Sequence, residues 1–275
     1  MSTTTSCKIK NKFLCEYMTT LVKQQPRAKN GRFLKISSQP RDKSGRFIRA
    51  RKNTAVKTLI YVVLDQSGSM MSCKSSVISG FNEYIQAQKR QPNSDKVCLS
   101  LMLFDSVKTD IRHNNIALKF VPNLNNETYI PGACTPLYDA IGRAVKSIDT
   151  KKKQSVFFVV ITDGEENSSH EFTRQTIFDL ITDRTKNGWT FVYLGANQDV
   201  WQVGGSLGFS GGNTMSYNTN NAQQVFIATA CATTAYRATG SVVSDSVFLD
   251  AGLTAKDFGN VTIHPTTKSK SKVKK

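Results

Sequence analysis

Thr58-Leu59-Ile60-Tyr61-Val62-Val63-Leu64 is an almost unbroken apolar run, and Asp65-Gln66-Ser67-Gly68-Ser69 follows it without a spacer. β-Branched and aromatic residues with no polar alternation suit a strand buried on both faces, as in a parallel sheet covered by helices. Three more runs share this character: Val97–Phe104, Val156–Ile161 and Thr190–Leu194. The first leads into Asp105 and the second into Thr162-Asp163. Val107–Ile111 alternates instead, as an edge strand folded back after Asp105 would.

Helical periodicity fills the intervals. Val77, Phe81, Tyr84 and Ile85 share one helix face, as do Leu137, Ile141, Val145 and Ile148. Pro136 suits the first turn of the second helix. Ser168 and Glu171 read as a capping box for a helix through Phe172, Ile177, Leu180 and Ile181. The stretch 220–236 is free of Gly and Pro and reads as a last long helix. Strands alternating with helices predict an α/β fold, a Rossmann-like doubly wound sheet that is mostly parallel with one antiparallel edge strand.

In such sheets, sites gather at the carboxyl ends of strands. Asp65-x-Ser67-x-Ser69 follows the first strand, Thr135 precedes a helix, and Asp163 follows the central strand. All five side chains offer oxygen only, which favours Mg²⁺, with Mn²⁺ or Ca²⁺ as alternatives, over zinc. Two carboxylates leave such an ion electrophilic enough to take an external carboxylate. Each piece alone also reads as ordinary local structure: an Asp/Ser turn, a helix N-cap at Thr135, an Asp-Gly turn. Their order and their placement beside the right elements favour the cation.

The set Asp65-x-Ser67-x-Ser69, Thr135 and Asp163 resembles the metal-ion-dependent adhesion site (MIDAS) of von Willebrand factor A (vWA) domains. The resemblance spans about residues 57–264. The run 191–199, Phe-Val-Tyr-Leu-Gly-Ala-Asn-Gln-Asp, also resembles small single-domain vWA proteins of bacteria and their viruses. It implies that Ser67, Ser69 and Thr135 ligate a cation directly, that Asp65 and Asp163 act through water, and that an Asp or Glu of a protein partner completes the shell. The departure from the family is a long basic arm.

That arm dominates the charge. The net charge is +17, and residues 1–56 hold 14 Lys or Arg against Glu16 and Asp42. Residues 265–275 add five Lys, and 57–264 carries 18 basic and 18 acidic residues. The expected organisation is a largely disordered basic arm (1–56), a neutral vWA domain (57–264) and a Lys-rich tail (265–275). Within the arm, Arg27-x-Lys29-x-x-Arg32-Phe33 recurs 14 residues later as Arg41-x-Lys43-x-x-Arg46-Phe47. These residues are candidates for nucleic-acid contact, with the aromatics either stacking on bases or serving as plain apolar anchors. A weak apolar stripe at Phe13, Leu14, Met18, Leu21 and Val22 reads as a frayed helix or a docking peptide.

Other chemistry finds little support. Six cysteines form no CxxC pair, and His113, His170 and His264 lie near no cysteine cluster. Cys98 reads as a buried small hydrophobe. The glycine-rich stretch 204–212 lacks the Gly-Lys-Ser/Thr ending of a phosphate loop and reads as a surface loop. Glu165 and Glu166 read as solvated, with no nucleophile beside them. No transmembrane run and no signal-peptide core are present, so the expected setting is intracellular or, if the source is viral, the virion. The leading reading is a non-enzymatic, metal-dependent protein-binding module. The alternatives are a nucleic-acid-associated protein whose vWA domain serves assembly, and a hydrolase using the same ion.

Overall fold

The computed structural model describes residues 57–196, 199–217, 222–239 and 243–253. The arm 1–56, its repeats and apolar stripe, and the tail 265–275 lie outside the described residues.

Six strands form one sheet: β1 (Lys57–Asp65), β2 (Val97–Phe104), β3 (Thr109–Ala117), β4 (Gln154–Thr162), β5 (Trp189–Ala196) and β6 (Thr214–Tyr217), in the order β3-β2-β1-β4-β5-β6. All pairs are parallel except β2–β3, which places the antiparallel strand at the edge. This is the doubly wound sheet expected of the sequence. Among the described residues six α-helices accompany it: α1 (Lys74–Lys89), α2 (Leu137–Ser147), α3 (Arg174–Lys186), α4 (Val200–Ser206), α5 (Ala222–Ala238) and α6 (Val247–Asp250).

The unbroken apolar runs are explained by helices on both faces. Leu59, Tyr61 and Val63, with Val156, Phe158, Val160, Phe191 and Tyr193, pack against α2, α3 and α4. The alternate residues face the opposite layer, where Phe157 meets Tyr236 of α5 at 5.0 Å between ring centroids. There α1 and α5 lie close. A Cβ on Gly80 would fall 2.3 Å from the Phe226 ring. Buried Gln88 donates to Ala230 O at 2.9 Å and accepts from Arg237 Nη1 at 2.8 Å. Gly80→Ala would gain about 1 kcal/mol of helix propensity. The overlap it creates costs about 1–3 kcal/mol. The expected outcome in urea denaturation is therefore a net loss of stability. A gain would mean the helices are not in close contact.

Several local expectations are corrected. Ser168 and Glu171 do not cap α3; Thr173 does, its Oγ1 accepting from Thr176 N at 3.2 Å. Residues 170–172 are held elsewhere, as described below. The glycine-rich stretch is not a surface loop: it closes α4, and Leu207 and Phe209 enter the core. Gly204 is required there, because a Cβ would lie 2.8 Å from Thr214 Cγ2. Strand β3 starts at Thr109, two residues later than expected, and continues to Ala117, leaving Val107 in the turn. Pro136 is the N-cap of α2 rather than within its first turn. Cys98 is only half-buried. β6, α4 and α6 have no counterpart in the sequence reading.

Candidate metal centre

β1 lies between β2 and β4, so the chain leaves its carboxyl end toward one neighbour and returns beyond the other. That is the point in a doubly wound sheet where loops part and a crevice opens. Asp65 is the last residue of β1, and Thr162 is the last of β4.

Asp65 is fully buried and held on three sides. Its Oδ1 accepts from Ser67 N and its Oδ2 from Thr162 Oγ1, both at 2.6 Å. Its carbonyl oxygen accepts from the buried Tyr129 hydroxyl at 2.6 Å. Burial pushes the Asp65 carboxyl up to about 6; bonds from Thr162 and Ser67 pull the other way, and the nearby Asp163 charge adds to the rise. The Asp163 carboxyl is also raised by burial, partly offset by a bond from Ser69. Neither carboxylate forms an ion pair with a described residue.

The hydroxyls continue the chain. Ser69 Oγ donates to Asp163 Oδ1 at 2.6 Å and lies 3.1 Å from Ser67 Oγ. Thr135 is buried alongside, and a Cβ on Gly164 would come within 2.6 Å of Thr135 Oγ1. Glycine beside Asp163 is thus what lets Thr135 approach. The structure brings all five residues to one place: Asp65, Ser67, Ser69 and Asp163 in a hydrogen-bonded chain, and Thr135 across Gly164. Among the described residues no group of three or more His, Cys, Asp or Glu could hold a metal. The donor set is two carboxylates and three hydroxyls. That composition fits a hard divalent cation and not a soft one, and a cation would supply the positive charge the buried carboxylates lack.

Three loops are stapled to hold this geometry. Gly68 N donates to Ala133 O, Gly132 N to Gln66 O and Ser106 N to Cys134 O, at 2.7–3.0 Å. Thr135 and Asn167 are bonded reciprocally, Thr135 N to Asn167 Oδ1 at 2.9 Å and Asn167 N to Thr135 O at 3.2 Å.

The structure adds residues that the sequence reading passed over. Thr162 anchors Asp65. Glu166 is not solvated: its carboxylate accepts from Tyr138 N, Ser168 N, Ser169 N and Ser169 Oγ. Asp139, almost wholly buried in the first turn of α2, accepts from the backbone N–H groups of His170, Glu171 and Phe172. Burial raises the Asp139 carboxyl, but these bonds and the Arg143 charge outweigh it, leaving it below its ordinary value. The only local signal was an acid in a helix first turn. Asp139→Ala leaves three N–H groups without their acceptor, and the expected cost is about 2–4 kcal/mol in chemical denaturation. Because the folded carboxyl is lowered, its contribution is present above the unfolded value and is lost as pH falls. The wild-type advantage over Asp139→Ala should therefore shrink in acid. A constant difference would show that the charge is not what holds the loop.

The sequence matches no protein-family model. No curated protein sequence matches it. Solved structures are similar to parts of it. Proximal thread matrix protein 1 from the mussel byssus, solved with a zinc-occupied MIDAS motif, is 11% identical with a TM-score of 0.43 and covers 72% of this chain. This chain spans 46% of the mussel protein's length. The manganese-loaded TRAP protein of Plasmodium vivax is 18% identical with a TM-score of 0.44, covering 62% of this chain and 73% of its own. The VWA domain of SpRpn10 is 11% identical with a TM-score of 0.43, covering 63% of this chain and 95% of its own.

Proposed function

We propose that this chain carries a vWA-type domain that binds a divalent cation, Mg²⁺ in the first instance, and through it a carboxylate of a protein partner. The observation that carries the reading is the chain Asp65–Ser67–Ser69–Asp163 at the carboxyl ends of β1 and β4, with Thr135 beside it and no ion pair to a described residue. Ser67, Ser69 and Thr135 would hold the ion, and Asp65 and Asp163 would balance its charge. The bound ion supplies Lewis acidity toward an incoming carboxylate. The chain's own part is to keep the hydroxyls in place through Tyr129, Thr162 and the loop staples.

The role is binding and not catalysis. Of the carboxylates that follow Asp163 in the chain, Glu165 is exposed, and the oxygens of Glu166, which a general base would need free, already accept four bonds. Partner capture from a lysate of the source, run in parallel with Mg²⁺ and with EDTA, tests the proposal. Retained protein should be lost in EDTA and fall at least tenfold with Thr135→Ala. A partner that stays bound in EDTA would place its interface elsewhere.

A second reading rests on charge segregation: 14 basic residues against two acidic in 1–56, five more basic in 265–275, and a neutral body. It assigns the arm and tail to a polyanion. Asp65→Ala removes the first activity and arm deletion the second, so the two are separable.

A further inference from the structure

Loops at the carboxyl ends of a parallel sheet meet water, and their tips are ordinarily small or polar. Three exposed positions on the segments that carry the candidate metal centre are neither. Met71 is 55% exposed, Ile130 60% and Val107 85%. They sit on the segments that the backbone staples tie together: Met71 within the 3₁₀ turn Gly68–Cys73, Ile130 just before the Gly132–Ala133 junction, and Val107 beside Ser106. Folding does not account for them. Met70 and Tyr129, the immediate neighbours of two of them, are fully buried and already anchor those loops. Val107 N bonds Asp105 Oδ1, which needs no apolar side chain.

Val107 also lines a cavity of about 330 Å³ whose other walls include Ser106, Pro136 and Ser168 and the charged Lys108, Arg143 and Glu171. Pro136 follows Thr135 in the chain, and Ser168 follows Asn167, which is bonded to Thr135. The cavity therefore borders the loops that carry the metal centre, and none of the five candidate ligands lines it. Polar and apolar features converge: a point of attraction for one carboxylate, with large aliphatic side chains on the loops around it.

We infer, on the metal-binding reading above, that the partner presents its carboxylate within a polypeptide segment that carries bulky aliphatic side chains on both sides of the acid. Apolar contacts beside the ion exclude water, and the ion–carboxylate attraction rises as the effective dielectric falls. A segment of polar residues around the acid would have to desolvate against Met71, Ile130 and Val107, whose side chains offer no hydrogen bonds in return.

The test uses the full chain at 150 mM salt and three immobilised peptides: Leu-Leu-Asp-Leu-Leu, Ser-Ser-Asp-Ser-Ser and Leu-Leu-Asn-Leu-Leu, each within the same glycine spacers. The two Asp peptides carry equal charge, so attraction to the basic arm cancels between them. In Mn²⁺ the Leu/Asp peptide should bind at least tenfold tighter than the Ser/Asp peptide, about what one buried aliphatic side chain contributes. The Asn peptide and EDTA should abolish binding. Ile130→Ser should lower Leu/Asp binding about tenfold while the Mn²⁺-induced rise in Tm stays unchanged, which also shows that the variant is folded. Equal binding of the two Asp peptides, no binding of either up to 1 mM, or undiminished discrimination in Ile130→Ser would overturn the inference. Absence of any Mn²⁺-induced rise in the wild type would instead overturn the metal reading beneath it.

Discussion

Asp65→Asn is expected to make the domain more stable than wild type in EDTA at pH 7.5 and less stable in saturating Mn²⁺ or Mg²⁺. The reversal follows from burial. The Asp65 carboxyl, ordinarily near 3.8, is pushed up to about 6. A raised carboxyl means the folded state holds the proton more tightly. Its stabilising contribution is present below the unfolded value and lost as pH rises through about 6. Without a cation, the ionised group at neutral pH therefore costs on the order of 3 kcal/mol. Asparagine removes that charge and keeps an acceptor for Ser67 N. Thr162 Oγ1 can turn to accept from the new amide, because its proton has a second acceptor in Gly164 O at 3.2 Å. A cation at 1,000 times its Kd adds about 4.1 kcal/mol to the wild type alone, about 1 kcal/mol more than the ionised carboxylate costs. At roughly 2–4 °C per kcal/mol, thermal scans should place the variant several degrees above wild type in EDTA and a few degrees below it with the cation. The EDTA difference should vanish near pH 4. A variant that melts below wild type in EDTA, or that gains equally from the cation, would remove Asp65 from the site.

How much of this could be read from sequence depends on the range of the interaction. Strands β1, β2, β4 and β5 were legible because each is apolar on both faces, and that pattern is local. β6 was not: Thr214-Met215-Ser216-Tyr217 is short and half polar. It is tolerated at the edge because Thr214 Oγ1 bonds Gly211 O at 2.8 Å and Tyr217 packs down toward Thr162. The glycines at 204–212 read as looseness. In the structure, Gly204 marks a tight approach of α4 to β6, which composition alone cannot distinguish from a loop. At the site, Asp65, Ser67 and Ser69 announce themselves by spacing within five residues. The bonds that hold them span far more of the chain: Thr162 to Asp65 across 97 residues, Ser69 to Asp163 across 94, and Asp139 to residues 170–172 across 31–33. Only folding reveals such partners, which is why the sequence singles out neither Thr162 nor Asp139 and why Glu166 reads as solvated.

The largest expected effect belongs to the arm and tail. Residues 1–56 concentrate a net +12 and residues 265–275 a further +5, while the body between them is neutral. Lys268, Lys270, Lys272, Lys274 and Lys275 stand among Ser and Val, and Arg32-Phe33 and Arg46-Phe47 repeat the same basic-aromatic pair. Each Lys or Arg that neutralises a phosphate releases condensed counterions, so affinity for nucleic acid should fall steeply with salt. With about 6–10 such contacts, the loss between 50 and 200 mM salt is on the order of 10³–10⁵. Sequence preference should be slight, since contacts of this kind meet phosphates and not base edges. Phe33→Ala and Phe47→Ala separate the two roles left open for the aromatics: stacking predicts a loss of about 1–3 kcal/mol per base on single strands and none on duplex. Gel-shift titrations compare the full chain with variants carrying Ser in place of Lys or Arg at the repeat positions Arg27, Lys29, Arg32, Arg41, Lys43 and Arg46. Those six substitutions should cut both the affinity and the salt slope while the cation-induced rise in Tm persists. Equal binding by the variant would take the contact away from the repeats, and no binding by the full chain at 50 mM salt would remove the nucleic-acid reading.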